Sequence, residues 1–166
     1  LAEAVIAAEP GLRPVERPAL GIARAVVEAP KRPYSDAELA AAKETAKRLR
    51  EGKTPFLDNV HARRVLHLAA APGDTVPLDV QVVRLSDDAA IIFLPGEVFV
   101  ELGMSIKKAS PFATTLVVEL ANSYPSYIPT AKGFAEDSYE VVSARVRPGW
   151  GEEMAEAARR LLYSLK

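Results

Sequence analysis

The sequence predicts an α/β fold in which helices flank a mixed β-sheet. Strand-like segments, in which apolar residues alternate or are continuous, alternate along the chain with segments of helical periodicity. The composition, 49% hydrophobic and 26% charged, is that of a folded globular protein. A length of 166 residues fits one domain or one large piece of a domain, so residues 1–166 are predicted to form a single segment.

Charge and composition exclude several classes of protein. The net charge of −1 argues against binding to nucleic acid or to an anionic membrane surface. No apolar run approaches the roughly 18 residues that a transmembrane helix needs, so none is predicted. The absence of cysteine excludes disulfides and thiolate metal ligands. Because the first residue is Leu1 rather than Met, any targeting segment would lie upstream, and the choice between a cytoplasmic and a secreted protein stays open.

The first part of the chain combines a lead-in with one strand and one helix. Residues 1–34 are rich in proline and alanine, and the apolar stretch Leu20–Val27 within them predicts a strand. The motif Ser35-Asp-Ala-Glu38 is a capping box, in which the serine and glutamate side chains satisfy the free amides at a helix start. A helix is therefore predicted from this motif to about Arg50.

The middle of the chain changes from helical to strand periodicity. Five elements are predicted in order, namely a helix, two strands, a helix and a strand, at Asn59–Ala70, Val76–Leu85, Ala89–Leu94, Glu97–Lys107 and Ala113–Leu120. For the last part of the chain we predict a tyrosine-rich loop, a strand and an amphipathic helix, in that order, at Ala121–Asp137, Tyr139–Val146 and Gly151–Leu165.

The residues that carry potential chemistry follow two apolar strands. Glu97 and the tyrosine-rich loop each come directly after such a strand, which predicts that they meet at one edge of the sheet. Glu97 has two interpretations. It is a glutamate stabilised by a helix N-terminus, or it is a functional residue on a rigid element, which acts as a metal ligand or a general base. Tyr124 and Tyr127 either line a pocket or cover the sheet edge.

Two further residue types have less distinctive positions. Tyr139 either donates a hydrogen bond to a developing oxyanion or packs across strands. His61 and His67 are six residues apart, so they lie on different faces of their predicted helix and do not form a ligand pair. Both histidines are interpreted as structural. The residues alone thus predict a site without a reaction.

Three motifs together resemble a known family of hydrolases. Leu94-Pro-Gly-Glu97, then Asn122-x-Tyr124-x-x-Tyr127-x-x-Thr130, then Tyr139-Glu140, resemble the C-terminal part of the catalytic domain of the neutral/alkaline ceramidases. The sequence looks closest to the shorter bacterial relatives in that family. The similarity is strongest over residues 76–165.

The resemblance implies a zinc-dependent amidohydrolase. In that family two histidines, a glutamate and a tyrosine hold zinc, which implies Glu97 and Tyr127 as metal ligands here. It also implies Tyr139 as a catalytic residue that polarises the carbonyl of a small N-acyl amide. The two histidines come from the N-terminal half of the domain, which is therefore an expected partner. Without that half, we expect this chain to be inactive.

The resemblance leaves other functions open. The substrate is ceramide or another amide, such as a peptide, sugar or cell-wall amide. A third hypothesis is a ceramidase-like protein that lost catalysis and works as a binding or assembly module. Because strands of this segment would normally pair with the N-terminal half, we expect the isolated chain to aggregate or form homo-oligomers through an uncovered sheet edge.

Overall fold

The computed structural model describes residues 1–15, 17–49, 52, 54–136 and 138–166. The predicted ends of one helix at Arg50 and of the tyrosine-rich loop at Asp137 lie outside the described residues. The helices are α1 to α6, at Ala2–Ala8, Asp36–Leu49, Phe56–Ala70, Val100–Lys108, Tyr139–Ser143 and Trp150–Ser164. The strands are β1 to β6, at Pro18–Pro30, Thr75–Ser86, Ala89–Phe93, Glu97–Val98, Thr114–Val118 and Tyr127–Ile128.

A mixed sheet of four strands organises the fold. Its order is β1-β2-β3-β5, in which the first three strands are antiparallel and β3 and β5 run parallel. β4 and β6 form a separate parallel ladder of two strands. The predicted fold class, a mixed sheet flanked by helices, is confirmed.

The first strand is longer than its apolar stretch predicts. β1 extends from Pro18 to Pro30, whereas the prediction covered Leu20–Val27. Its partner β2 has 12 residues, and the pairing continues until Pro30 lies opposite Thr75. Proline lacks the amide hydrogen that a ladder uses, but it is tolerated at the ends of an edge strand such as this one.

The main core lies on one face of the sheet. Leu78, Val80 and Val82 of β2 are completely buried; α6 packs on β1 and β2, and α4 packs against α6 and β5. The largest buried side chains from the sheet and these two helices are Leu78, Ile92, Ile106, Met154 and Leu162. Burial of each such side chain stabilises the fold by roughly 1.5–3 kcal/mol. This core therefore holds α4 and α6 against the sheet.

A second, smaller core joins α2 and α3 through Ala42, Ala62 and Val65. The predicted capping box begins α2. The Ser35 amide donates to the Glu38 carboxylate over 2.7 Å, and the Glu38 amide donates to the Ser35 hydroxyl over 3.2 Å.

The helix predicted over Glu97–Lys107 is present as α4, but its predicted start at Glu97 is wrong. Glu97–Val98 is the short strand β4, and α4 begins only at Val100. The Glu97 and Phe99 amides donate to carbonyls of the tyrosine-rich loop instead of entering a helix. Long-range pairing therefore overrides the local helix signal, and the helix-dipole interpretation of Glu97 is wrong as well.

The prediction of a final strand over Tyr139–Val146 is also wrong. Residues Tyr139–Ser143 form the helix α5, and the side chain of Ser138 accepts a hydrogen bond from the Val141 amide at its start. Only Val146 pairs in an extended conformation, through an isolated bridge to Lys31. The N-cap serine thus decides the local structure against the β-branched residues that follow it.

The opposite face of the sheet carries a row of apolar side chains. Ile22, Val83, Ile91 and Leu116 lie in register across all four strands. Ile22 is 68% exposed and Leu116 is 50% exposed. An apolar surface that crosses a whole sheet is typical of a face that contacts another polypeptide.

No helix in the described part of the chain is long and apolar enough to span a membrane.

We predict that the exposed sheet face drives self-association of the isolated chain. The double substitution Ile22→Thr and Leu116→Thr should raise the concentration at which oligomers form by roughly tenfold, because it removes apolar area from the contact. Light scattering against protein concentration measures this. Val5→Thr, an equally apolar and exposed position on α1, is the matched control. Oligomers that form equally in both variants would show that another surface is responsible.

Candidate active site

The ladder of β4 and β6 brings together two of the residues predicted from the sequence. Glu97 lies directly opposite Tyr127 in parallel register. The Glu97 amide donates to the Ser126 carbonyl over 3.0 Å, and the Phe99 amide donates to the Ile128 carbonyl over 3.1 Å. Side chains of directly opposed residues leave a ladder on the same side, so the carboxylate and the phenol face one region.

Gly96 makes this pairing possible. Its backbone is left-handed, with φ of +73°. A Cβ atom on residue 96 would lie 2.3 Å from the carbonyl oxygen of Ser126, a distance that real Cβ atoms do not reach. Glycine satisfies both requirements, because it has no Cβ and adopts positive φ without strain.

The tyrosine-rich loop holds an unusual backbone. The three non-glycine residues with positive φ in the described part of the chain are Leu120, Asn122 and Ser126, with φ of 54°, 66° and 76°. Such conformations each cost of order 1–3 kcal/mol and cluster at functional sites. Ser126 is buried, and its hydroxyl donates to the Ser143 carbonyl over 3.0 Å. The loop is thus fixed against α5 rather than free.

A second tyrosine from the same loop binds the glutamate directly. The Tyr124 hydroxyl donates a hydrogen bond of 2.7 Å to Glu97 Oε1. This bond raises the pKa of the Tyr124 phenol, because it stabilises the protonated form. The Glu97 carboxylate also raises the pKa of Tyr127 to about 12, chiefly as a hydrogen-bond acceptor, with lost hydration and its negative charge acting in the same direction.

The third predicted residue, Tyr139, also lies at this site. Its ring meets the ring of Tyr127 edge-on, with the centroids 5.8 Å apart and the planes at 78°. Arg64 on α3 donates a hydrogen bond of 3.1 Å to the Tyr139 hydroxyl. Tyr139 remains about half exposed. Glu97, Tyr127 and Tyr139 therefore converge, and their chemical roles stay predictions.

The surface around the ladder is negatively charged. A shallow depression is lined by Tyr127 and by four glutamates, which are Glu97, Glu101, Glu119 and Glu140. Glu119 also accepts a hydrogen bond of 2.8 Å from the Val98 amide, which fixes one of these carboxylates on the ladder. A depression of this kind attracts cations and disfavours anionic ligands.

The donor set fits part of a zinc site. Glu97 and Tyr127 present two oxygen donors on one ladder, whereas a catalytic zinc normally has at least three protein ligands. Within the described ranges, no group of three or more His, Cys, Asp and Glu side chains is arranged to hold a metal. His61 and His67 are both exposed on α3. Among the described residues, the site therefore offers fewer donors than a catalytic zinc uses.

Three residues at the site were missed by the sequence analysis. Glu119 directly follows the strand β5 and Ser143 ends the short helix α5, and neither position carries a motif. Arg64 directly follows Arg63 in the sequence, so residue type does not distinguish them. Only the packing of α3 on α5 places Arg64, and not Arg63, beside Tyr139. Arg63 is exposed and bonds to Asn59, whereas Arg64 is partly buried at Tyr139. Helical position alone gives no signal for a contact 75 residues away in sequence.

The fold is similar to part of known ceramidase structures. A neutral ceramidase from Pseudomonas aeruginosa matches 89% of this chain with a TM-score of 0.57 and 18% identity. A ceramidase complexed with C2 matches 54% of the chain with a TM-score of 0.50 and 22% identity. The chain spans 28% and 15% of the lengths of those two chains. No protein-family model matches the chain, and no curated protein matches it by sequence.

These similarities confirm the resemblance to the neutral ceramidases at the level of the fold. The chain has the α/β architecture of a fragment of such a domain. At identities of 18% and 22%, the similarity describes the fold and leaves the chemistry to be argued from the site.

We predict that Gly96→Ala breaks the ladder. The substitution should lower the free energy of unfolding by roughly 1–3 kcal/mol more than Gly73→Ala, because it adds a clash with the Ser126 carbonyl. Gly73 is the matched control, since its φ is +70° but a Cβ there would meet open space. Urea unfolding of both variants at the same protein concentration measures the difference. Equal costs would mean that the two backbones are not in contact at residue 96.

We predict that Glu97 sets the ionisation of its two tyrosine neighbours when no metal is bound. Glu97→Gln should lower the pKa of Tyr124 and Tyr127 toward the ordinary value of about 10, because the negative acceptor that stabilises both protonated phenols is lost. Tyrosine ¹³Cζ shifts between about pH 9 and pH 12 measure this. Tyr34, whose pKa is raised chiefly by burial, is the internal control and should not change. Unchanged values for Tyr124 and Tyr127 would contradict the assigned interaction.

Proposed function

We propose that this chain is the C-terminal part of the catalytic domain of a zinc-dependent amidohydrolase of the neutral ceramidase type, which hydrolyses an N-acyl amide bond. One observation carries the proposal. Glu97 and Tyr127 lie opposite each other on a rigid ladder, and the ring of Tyr139 packs against Tyr127. The similarity of the fold to neutral ceramidases supports the same conclusion.

Each residue of the site then has a defined task. Glu97 and Tyr127 would hold the zinc ion, which would supply a Lewis acid to polarise the amide carbonyl and to activate water near neutral pH. Tyr124 donates its hydrogen bond to Glu97 and so orients the carboxylate. Tyr139 donates a hydrogen bond to the carbonyl oxygen as that oxygen gains negative charge.

The local electrostatics limit the substrate. Because four glutamates line the depression, an anionic part of the substrate that lies over it would be repelled. A neutral amide, or one with a cationic neighbour, fits this surface better. We therefore propose small, neutral N-acyl amides as the first substrate class to test.

The same proposal includes a polypeptide partner. The N-terminal half of the domain would supply the two missing histidine ligands and cover the apolar row of Ile22, Val83, Ile91 and Leu116. The exposure of that row supports this assignment. The 28% share of the Pseudomonas aeruginosa chain that this segment spans is consistent with it.

We predict that the full-length parent protein contains about one zinc per chain and cleaves an N-acyl amide. Glu97→Gln and Tyr127→Phe should lower the zinc content, because the first replaces an anionic carboxylate by a neutral amide and the second removes the phenol oxygen. Tyr139→Phe should keep the zinc but lower kcat by roughly 10²–10³-fold, the usual cost of one oxyanion donor. Metal analysis and a panel of fluorescent N-acyl amides measure these effects.

Matched controls separate these effects from general damage. Glu44→Gln on α2 and Tyr163→Phe on α6 change the same residue types at exposed positions that are not part of the ladder. Both variants should behave like the parent. If the full-length parent protein binds no zinc and cleaves no amide, the enzyme hypothesis is contradicted and the binding-module alternative is favoured.

A further inference from the structure

Arg64 holds Tyr139 through two kinds of contact. Its Nη2 donates a hydrogen bond of 3.1 Å to the Tyr139 hydroxyl. Its guanidinium carbon lies 5.4 Å from the centroid of the Tyr139 ring, within the range of a cation–π interaction. The two contacts fix both the hydroxyl and the plane of the ring, although the side chain is about half exposed.

A chain of hydrogen bonds connects Arg64 to the tyrosine-rich loop. Nη1 of Arg64 donates to the hydroxyl of Ser143, which is only 3% exposed. The backbone carbonyl of the same Ser143 accepts the hydrogen bond from Ser126. Since the Ser126 carbonyl accepts from the Glu97 amide, the network continues to the ladder. Arg64 therefore lies in one network with the predicted metal ligands, although α3 carries neither.

The positive charge of Arg64 remains available at the site. Its two side-chain hydrogen bonds in the described part of the chain go to hydroxyls and not to a carboxylate. The other polar residues that line the adjoining depression between α3 and α5 are Asp58 and His61. A structural arginine is usually paired with a carboxylate, whereas this arginine points its charge at a phenol oxygen.

We infer that Arg64 is a positioning residue, which orients the Tyr139 hydroxyl and strengthens it as a hydrogen-bond donor. The phenol oxygen accepts from Arg64, so its own hydrogen is directed away from α3 and toward a ligand. A hydroxyl that accepts from a cation is a stronger donor, because hydrogen bonds in a chain polarise one another. The inference rests on the proposed amide hydrolysis for its catalytic consequence, and its geometry is testable separately.

The test uses the full-length parent protein labelled with 3-fluorotyrosine. Fluorine NMR reports the environment of Tyr139, whose resonance is assigned by its loss in Tyr139→Phe. Arg64→Met should move this resonance toward the position of free fluorotyrosine and sharpen it, because the ring loses both contacts. Arg63→Met is the matched control, since Arg63 bonds only to its helix neighbour Asn59 among the described residues, and it should leave the resonance unchanged.

Kinetics on unlabelled protein supply the second readout. Arg64→Met should lower kcat by about 10- to 100-fold, with KM and zinc content close to those of the parent. Arg64→Lys keeps the charge but not the forked geometry, so it should restore part of the activity. Free guanidinium ion should also restore part of the activity of Arg64→Met. Circular dichroism confirms that each variant is folded, and Arg64→Ala, which also removes both contacts, replaces Arg64→Met if the latter unfolds.

Each outcome decides one question. A Tyr139 resonance that is the same in the parent and in folded Arg64→Met or Arg64→Ala overturns the inference, whatever the activity. A shifted resonance with an unchanged kcat overturns the catalytic consequence. A parent that cleaves no amide overturns the proposed function, and the fluorine spectrum then still decides whether Arg64 positions Tyr139.

Discussion

The site depends on the close approach of two backbones at residue 96. The left-handed turn at Gly96 directs the chain after β3 along the tyrosine-rich loop, where the Ser126 carbonyl accepts the Glu97 amide. This contact fixes the register that sets Glu97 opposite Tyr127. The strained residues of the loop are tolerated because buried hydrogen bonds, such as that from Ser126 to Ser143, hold it in place. The remaining elements provide a rigid frame for this one contact.

Much of the fold could be predicted where local physics decides the structure. The reciprocal bonds of Ser35 and Glu38 form a helix start that neighbouring residues alone determine. The alternation of β2 follows from burial of one face, which the sequence shows directly. Glu97 and the tyrosine-rich loop were expected to meet because each follows an apolar strand, and they pair through the ladder of β4 and β6.

The rest could not be predicted because distant contacts decide it. Glu97 begins a strand instead of a helix, since a loop 30 residues away supplies its ladder partner. Tyr139 begins a helix because the Ser138 side chain caps it, and its ring then reaches Tyr127. Arg64 approaches Tyr139 only through the packing of α3 on α5, which no periodicity indicates. The similarity to ceramidases describes the fold, and the convergence of Glu97, Tyr127 and Tyr139 supports the chemistry.

The most direct test of this account is a crystal structure of the full-length parent protein with anomalous diffraction at the zinc edge. We expect an anomalous peak with a Glu97 carboxylate oxygen and the Tyr127 phenol oxygen each about 2 Å from the metal, together with two histidines from the N-terminal half. A zinc ion held elsewhere, or an ordered ladder whose Glu97 and Tyr127 oxygens bind no metal in zinc-saturated protein, would contradict the account.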